Sequence, residues 1–600
     1  MKWTDVVSMA VLAALFPLSA QQASMAGQKY EATWESLREY PEVPKWLRDG
    51  KFGIYTHWGP YSVHAYGSNT TWYSFSMYAE PDSEARKHFE ENFGKLTPEF
   101  GYKDLIPKFT AEKFDADEWV ELFQKAGAKF AGAVAEHHDG FAMWDTEYSE
   151  WNAAKMGPKR DVVGELEEAI KKRDMKFVTA FHHAANWFFF PVYNKEYDTG
   201  DPKYSGLYGQ PHKLGEMRNP AFLDEWYGKI IEVIDKYSPE FIWFDFALDS
   251  IAEGYVKDLL AYYYNHAEEK GKQVVVTYKG NDLVPATGVR DLELGQETSI
   301  TYHEWITDST VDDRGAWGYA EDLIFKSPDR VIDNLVDRVS KNGYLLLNVG
   351  PKADGTNPEE ARDLLLEVGA WLDVNGEGIY GTSPWIIAGE GPTNLGATSD
   401  IGFNESAMVY KKDDVRFTVK GDTIYATFLA WPGEVALIKT LRALGLEADE
   451  YDFGGDADVP SVAGKTLNVV GEGQGYRLAF REDGKVLEYS YGDEAGEDST
   501  GEEGFEGTYE QDGRNVRLQL GDETIEFIYD GESLESAEEG PPAHPGFYKE
   551  EIKRISLLGD GKSLVWKLTR RGLVVEMPDK QPTDYAHVIK IERYHHPRLK

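Results

Sequence analysis

The sequence predicts a (β/α)8-like barrel followed by an antiparallel β-sandwich, and three observations carry that expectation. From about residue 45 to 385, short apolar runs alternate with longer amphipathic ones, the pattern of parallel strands covered by helices. Nearly every apolar run ends in a polar or charged cluster, which is where barrel enzymes carry their chemistry. Beyond about residue 385 the pattern becomes short alternating runs separated by turns, which is sandwich character.

The strand candidates are FGIYTHWG (52–59), FAGAVAEHH (130–138), FVTAFHH (177–183), FIWFDF (241–246), VVVTY (274–278) and YLLLNVG (344–350). Between them DEWVELFQKAGA (117–128), VGELEEAIKKRD (163–174) and FLDEWYGKIIEVIDKY (222–237) repeat apolar residues at helical spacing. The glycine-rich dinucleotide turn of an open doubly wound sheet is absent, which favours a barrel over 30–388. The β-sandwich, 389–600, is read from VRFTVKGDTIYATFLAW (415–431), SLVWKLTRRGLVVEMP (563–578) and YAHVIKIERY (585–594). A Gly-, Asp- and Glu-rich stretch at about 445–548 interrupts it, and its EDG and QDG turns mark a small inserted antiparallel β-module. The acidic loop within it, GDEAGEDSTGEEGFEG, is expected to be mobile.

Charge and composition narrow the function. The net charge of −41, from 104 acidic against 63 basic residues, repels nucleic acid and anionic membrane surfaces. The chain has no cysteine, so disulfides, thiolate metal sites and a cysteine nucleophile are excluded together. An aromatic content of 14% suits a concave site that stacks on sugars or other flat ligands. Residues 1–26 read as a signal peptide: one lysine, an apolar run from Val6 to Leu18, then small residues with cleavage after Ala20 or Ala26. An exported protein, periplasmic or extracellular and free of the membrane after cleavage, is expected.

The segment EHHDGFAMW (136–144) raises the question of a metal. Two ligands on one face of a strand need H-x-H spacing, and His137 and His138 are adjacent, so only a strand end or bulge lets both reach one site. Helical H-E-x-x-H and calcium loops are also missing, and no metal is expected. Imidazoles and carboxylates beside Phe141 and Trp144 suit sugar binding instead, with a packed histidine pair as the bland alternative. Asp245 ends the apolar run FIWFDF, where an unpaired carboxylate is costly. It reads as a nucleophile or base, against a structural ion pair. Glycoside hydrolysis needs a second carboxyl group, and the following segment offers Glu293 and Glu297, with Asp291 as an outsider.

These residues lie in blocks that resemble the α-L-fucosidases of glycoside hydrolase family 29. The blocks are KFGIYTHWGPYSV (51–63), EHHDGFAMWDTEYSEWNAAKMGPKRDVVGEL (136–166), PEFIWFDF (239–246), AWGY (316–319), SKNGYLLLNVGPKADGTNPEEA (340–361) and GEGIYGTSPW (376–385). The resemblance implies an exo-acting, retaining hydrolase of terminal α-L-fucosyl units on fucosylated glycans or fucose-rich polysaccharides, with no cofactor. It implies Asp245 as nucleophile, His57, His137 and His138 on fucose hydroxyls, Trp72 in the sugar pocket and Trp317 near the rim. VRDLELG looks like the version of the acid/base loop that makes Glu293 the proton donor, with Glu297 and Glu304 as alternatives. The chain departs from the family at Thr71, where a glutamate is frequent, and at FHHAANW, where His182 or His183 stands for a tyrosine. Lys279 lies near an expected arginine. A non-catalytic carbohydrate-binding barrel and a glycosidase for a related sugar such as an α-L-galactoside are the alternatives.

Overall fold

The computed structural model describes residues 29–393, 395, 402–443, 461–469, 476–490, 503–512, 515–520, 523–529, 534–536, 547–569 and 571–595. The expected signal peptide and most of the acidic loop lie outside them. Two compact units make up the chain: one is Met1–Glu434 with Ile552–Val565 and Met577–His595, the other Val435–Glu551 with Trp566–Glu576 and the last five residues.

The first unit is built on a closed barrel of eight parallel strands. They are β1 (Phe52–Thr56), β2 (Phe130–Glu136), β3 (Lys176–Phe181), β4 (Phe241–Phe244), β5 (Val275–Lys279), β6 (Val289–Asp291), β7 (Trp305–Thr310) and β8 (Gly343–Val349). β8 pairs back onto β1, Leu347 opposite Ile54. Six strands match the apolar runs. β6 and β7 do not, because β6 has three residues and β7, WITDST, carries polar groups on a strand buried throughout.

The long connections are α1 (Ala116–Lys125), α2 (Val162–Lys171), α3 (Pro220–Tyr237), α4 (Glu253–Glu269), α5 (Pro328–Ser340) and α6 (Glu359–Asn375). Asp115, Asp161, Asn219 and Ser327 cap four of them by accepting from backbone N–H groups of the first turn. Pro220 and Pro328 open α3 and α5 where no helical N–H is needed.

Strand parity then sorts the side chains. Tyr55, Phe130, Val134, Val178, Ala180, Phe241, Trp243, Val275, Val289, Ile306, Tyr344 and Leu346 fill the barrel. Ile54, Ala131, Phe177, Ile242, Val276 and Leu345 pack outward among the helices. A Cβ on Gly53 would meet the Phe130 ring at 2.1 Å, so that inner layer closes only around glycine.

After the barrel, β9 (Ser383–Glu390), β10 (Val415–Lys420), β11 (Thr423–Phe428), β20 (Ile552–Leu557) and β23 (His587–Arg593) form an antiparallel sheet in the order β20-β23-β11-β10-β9. Two buried ion clusters join this C-terminal part to α5. Arg416 Nε donates to Asp337 at 2.5 Å, and Lys341 donates to the same carboxylate at 2.7 Å. Glu405 accepts from Lys326 at 2.5 Å, from Arg338 at 3.0 Å and from the Ser309 hydroxyl of β7 at 2.7 Å.

The second unit contains a three-stranded sheet of β12 (Val435–Ile438), β22 (Gly572–Glu576) and β21 (Trp566–Thr569). It also contains a closed barrel of seven strands running from β13 (Thr466–Val469) to β19 (Leu534–Ser536). Val462, Leu467, Leu478, Phe480, Val486, Val516 and Leu518 form the core of the seven-stranded barrel.

Glu405→Gln is expected to cost about 3–5 kcal/mol in chemical denaturation, because it leaves two buried cations without their carboxylate. Burial pushes Glu405 up, but Lys326 and Arg338 outweigh it and hold the group near 2, against 4.5 ordinarily. Its contribution is therefore complete above pH 4.5 and is lost as pH falls toward 2. The loss of stability across that window should be shallower in the variant than in the native chain.

Candidate active site

The parity that fills the barrel also aims its upper rim. Continuing each inward row by two residues places His57 above Tyr55, His182 above Ala180, Asp245 above Trp243 and Lys279 above Thr277. The same rows bring in Asp291 above Val289, Asp308 above Ile306 and Asn348 above Leu346. His183, next to His182, consequently faces outward, its Nε2 3.4 Å from the Trp226 carbonyl of α3. β2 breaks the rule with a register irregularity between Val134 and Glu136. The break turns Glu136 out against Lys229 of α3, at 2.8 Å, and brings both histidines of EHHD to the mouth. Glu136 therefore orients neither ring through its carboxylate.

The imidazoles pack as a group. The His137 ring centroid lies 4.3 Å from that of His182, 4.4 Å from His138 and 5.5 Å from His57. Asn348 fixes His57: its Nδ2 donates to the Trp317 carbonyl at 2.7 Å and to Thr310 Oγ1 at 3.1 Å, leaving Oδ1 as acceptor. That oxygen receives the His57 backbone N–H and ring Nδ1 at 2.8 and 2.9 Å, so Nδ1 carries the proton and Nε2 keeps its lone pair. His138 donates Nδ1–H to the His182 carbonyl at 2.8 Å, and its Nε2 comes 3.3 Å from Asp245.

Asp245 accepts from His182 Nδ1 at 2.9 Å. Burial pushes Asp245 up, but His182 and His138 outweigh it and hold the carboxyl well below the usual range. Burial lowers His182 to about 4 in spite of Asp245. Near neutral pH the pair is thus a carboxylate and a neutral imidazole joined by Nδ1–H.

A second acidic group lies on β5 to β7. Lys279 Nζ is 2.8 Å from Asp291, 2.9 Å from Glu293 and 2.9 Å from Asp308, and 4.9 Å from the Trp243 ring centroid. Burial pushes Glu293 above the ordinary glutamate range; Lys279 pulls it back, and the charges of Asp308 and Asp245 push it up again. Asp308, which also accepts from the Tyr55 hydroxyl at 3.3 Å, is raised well above a normal aspartate by burial and by Asp291.

The Glu293 loop is held on both sides. Leu292 and Leu294 donate to the β7 carbonyls of Ile306 and Asp308, while Phe403 and Glu405 donate to the carbonyls of Glu293 and Leu294 at 2.9 Å. Glu297 is half-buried further along the loop. Glu304 precedes β7, at the opposite end of the barrel, paired with Arg48 and accepting from Tyr344 at 3.3 Å.

Trp72 closes one wall, 5.1 Å from the His138 ring and stacked on Phe246 at 6.0 Å. Trp317 lies 5.2 Å from the His57 ring on another side. Asp245, Glu293, His57, Trp72, His137, His138, His182 and Trp317 therefore belong to one neighbourhood at the C-terminal rim, and Glu304 does not. Asp308 and Asn348 were not foreseen, although the every-second-residue rule on WITDST and YLLLNVG points to both. Among the described residues, two groups meet the geometric requirement of three convergent metal-ligating atoms, His57 with His137 and His182, and His138 with His182 and Asp245.

A parallel barrel with one buried and one partly buried carboxyl group displaced in opposite directions at its C-terminal rim has the equipment of a glycoside hydrolase. The model for the family described as Alpha-L-fucosidase matches residues 17–377, and the chain belongs to that family. The tissue alpha-L-fucosidase of Rattus norvegicus is 33% identical over 426 residues, covering 70% of this chain and 83% of its own. That of Homo sapiens is 31% identical over 433 residues, covering 70% and 84%. Among solved structures, the alpha-fucosidase of Thermotoga maritima in complex with fucose superposes with a TM-score of 0.59 at 24% identity, over 94% of this chain and 100% of that one. Alpha-L-fucosidase isoenzyme 1 from Paenibacillus thiaminolyticus gives 0.54 at 19%, over 93% and 100%. These two likenesses carry the fold.

Lys279→Met should strand three carboxyl groups without their cation and cost about 3–5 kcal/mol. Adding Asp308→Asn should recover part of that loss, since the neutral amide no longer needs it. Denaturant unfolding of the two single variants and the double variant measures the coupling; simple additivity would show that Lys279 is not neutralising Asp308.

Proposed function

We propose that this chain is an exo-acting, retaining α-L-fucosidase in which Asp245 is the nucleophile and Glu293 the acid/base. The observation that carries the assignment is the opposed displacement of these two carboxyl groups, one lowered beside the histidines, with His182 donating to it, and the other raised by burial and neighbouring acids. Family membership supports the sugar and the reaction.

In the first step Asp245 attacks the anomeric carbon of a terminal α-L-fucosyl unit while Glu293 gives its proton to the departing oxygen. The glycosyl–oxygen bond breaks, a β-fucosyl ester forms on Asp245, and the leaving alcohol departs. Glu293, now a carboxylate, takes a proton from water as that water attacks the same carbon, releasing fucose in the α configuration and restoring both groups. Lys279 steadies the carboxylate form of Glu293 between the steps. His57, His137 and His138 present ring nitrogens to sugar hydroxyls, His182 orients Asp245 and reaches the pocket with Nε2, and Trp72 and Trp317 supply aromatic walls. Fucosylated oligosaccharides or fucose-rich polysaccharides are the substrates. The apolar run Val6–Leu18 behind Lys2 supports export to the periplasm or medium, and among the described residues no helix is long and apolar enough to cross a membrane.

Asp245→Gly should abolish most hydrolysis of an aryl α-L-fucoside, with azide restoring turnover as a β-fucosyl azide; wild-type rates in this variant would remove Asp245 from the mechanism. Glu293→Ala should slow substrates with poor leaving groups far more than activated aryl fucosides, and equal loss on both would transfer the role to Glu297. His182→Leu removes the Nδ1–H donor, so the carboxylate of Asp245 is less favoured and its pKa rises. The acidic limb of the kcat/KM profile should move to higher pH, and His182→Asn should restore part of the shift.

A further inference from the structure

The pocket that suits a sugar also satisfies a different ligand. We propose that His57, His137 and His182 form a binding site for a zinc-type dication, and that the ion and the sugar exclude one another. One nitrogen from each ring lies within 4.8 Å of the other two, and all three side chains are at least nine-tenths buried. Around a tetrahedral ion the donors stand about 3.3 Å apart, given metal–nitrogen bonds of roughly 2.0–2.1 Å, so small ring rotations complete the set.

The tautomers are already arranged for it. His57 spends its Nδ1–H on Asn348 and His182 spends its Nδ1–H on Asp245, which leaves Nε2 of each ring as a lone pair. Metal-bound histidines are oriented in this way, by an amide or carboxylate oxygen on the far nitrogen. Two buried nitrogens of the cluster, His137 Nδ1 and His182 Nε2, have no hydrogen-bond partner. Burial keeps all three rings neutral near pH 7, the form that ligates. Three neutral imidazoles select Zn2+, Co2+, Ni2+ or Cu2+ and discriminate against Mg2+ and Ca2+, which require oxygen ligands. Because His57 and His137 are the rings assigned above to fucose hydroxyls, an ion on them closes the pocket.

The test uses the full chain, stripped with chelator and titrated with Co2+, whose visible absorption reports tetrahedral nitrogen coordination. One ion per chain is expected, displaced by Zn2+ and unaffected by millimolar Mg2+ or Ca2+. Affinity should fall at least tenfold in His57→Gln and in His137→Gln and stay unchanged in His595→Gln, which removes an exposed ring on Asp422. Circular dichroism verifies folding, and His137→Gln keeps the test decisive if His57→Gln misfolds, since His137 Nδ1 holds no hydrogen bond. Absent cobalt bands, or equal affinity in His137→Gln, would overturn the site. Zn2+ should also inhibit aryl-fucoside hydrolysis competitively, with recovery on chelation, and non-competitive inhibition would overturn the exclusion. That second arm rests on the fucosidase reading; the cobalt titration does not, so a chain without fucosidase activity would sink the reading and leave the metal site to be judged on its own spectrum.

Discussion

Lys279 reaches Asp291, Glu293 and Asp308, each within 2.9 Å, from the inward row of a fully buried strand. With Asp245 across the pocket, the rim holds four carboxyl groups around this ammonium. At the effective dielectric of a protein interior, several like charges at such distances cannot all persist. Protons must therefore stay on part of the set, and the site decides which part. Asp245 has its own donor in His182, with His138 Nε2 3.3 Å away, and can remain ionised. Asp308 and Glu293 share one cation with Asp291, and burial and the neighbouring acids push both above their ordinary range. The unequal acidity of Asp245 and Glu293 thus follows from counting charges and donors, before any substrate arrives.

Placing those charges is the work of the backbone. Seven of the rim groups follow from strand parity alone, and the eighth case, β2, needs the irregularity at Val134/Glu136 to bring His137 and His138 round together. Glu293 lies beyond the three-residue β6 and would be on a free loop were it not stitched to β7 on one side and to Phe403 and Glu405 on the other. Glu405 is in turn fixed by Lys326, Arg338 and Ser309. A buried ion cluster therefore helps to set the position of Glu293.

The barrel was legible in the sequence wherever strands were apolar on both faces, as in FIWFDF and YLLLNVG. It was not legible at VRD and WITDST, because strands whose acidic groups are balanced by a cation on another strand look like loops until that partner is known. The same blindness hid Asp308. Asn348 was hidden for another reason: its task is to set a tautomer, which leaves no mark in composition. Adjacent residues were separable only in part. Parity distinguishes His182 from His183, whereas the role of Glu136 depended on Lys229, some ninety residues away on α3. Glu304 shows the limit of reading by proximity in sequence, since a glutamate eleven residues from Glu293 belongs to the other end of the barrel.

The hydrogen bonds from Phe403 and Glu405 to the Glu293 loop separate two notions of a domain. A chain cut after Glu390 would retain all eight strands, both carboxyl groups and every histidine of the pocket. It would lose the segment that grips the backbone at Glu293 and Leu294, along with the anion that balances Lys326 and Arg338. The unit that holds the pocket together is longer than the unit of architecture, and the residues that extend it act on the backbone of the Glu293 loop.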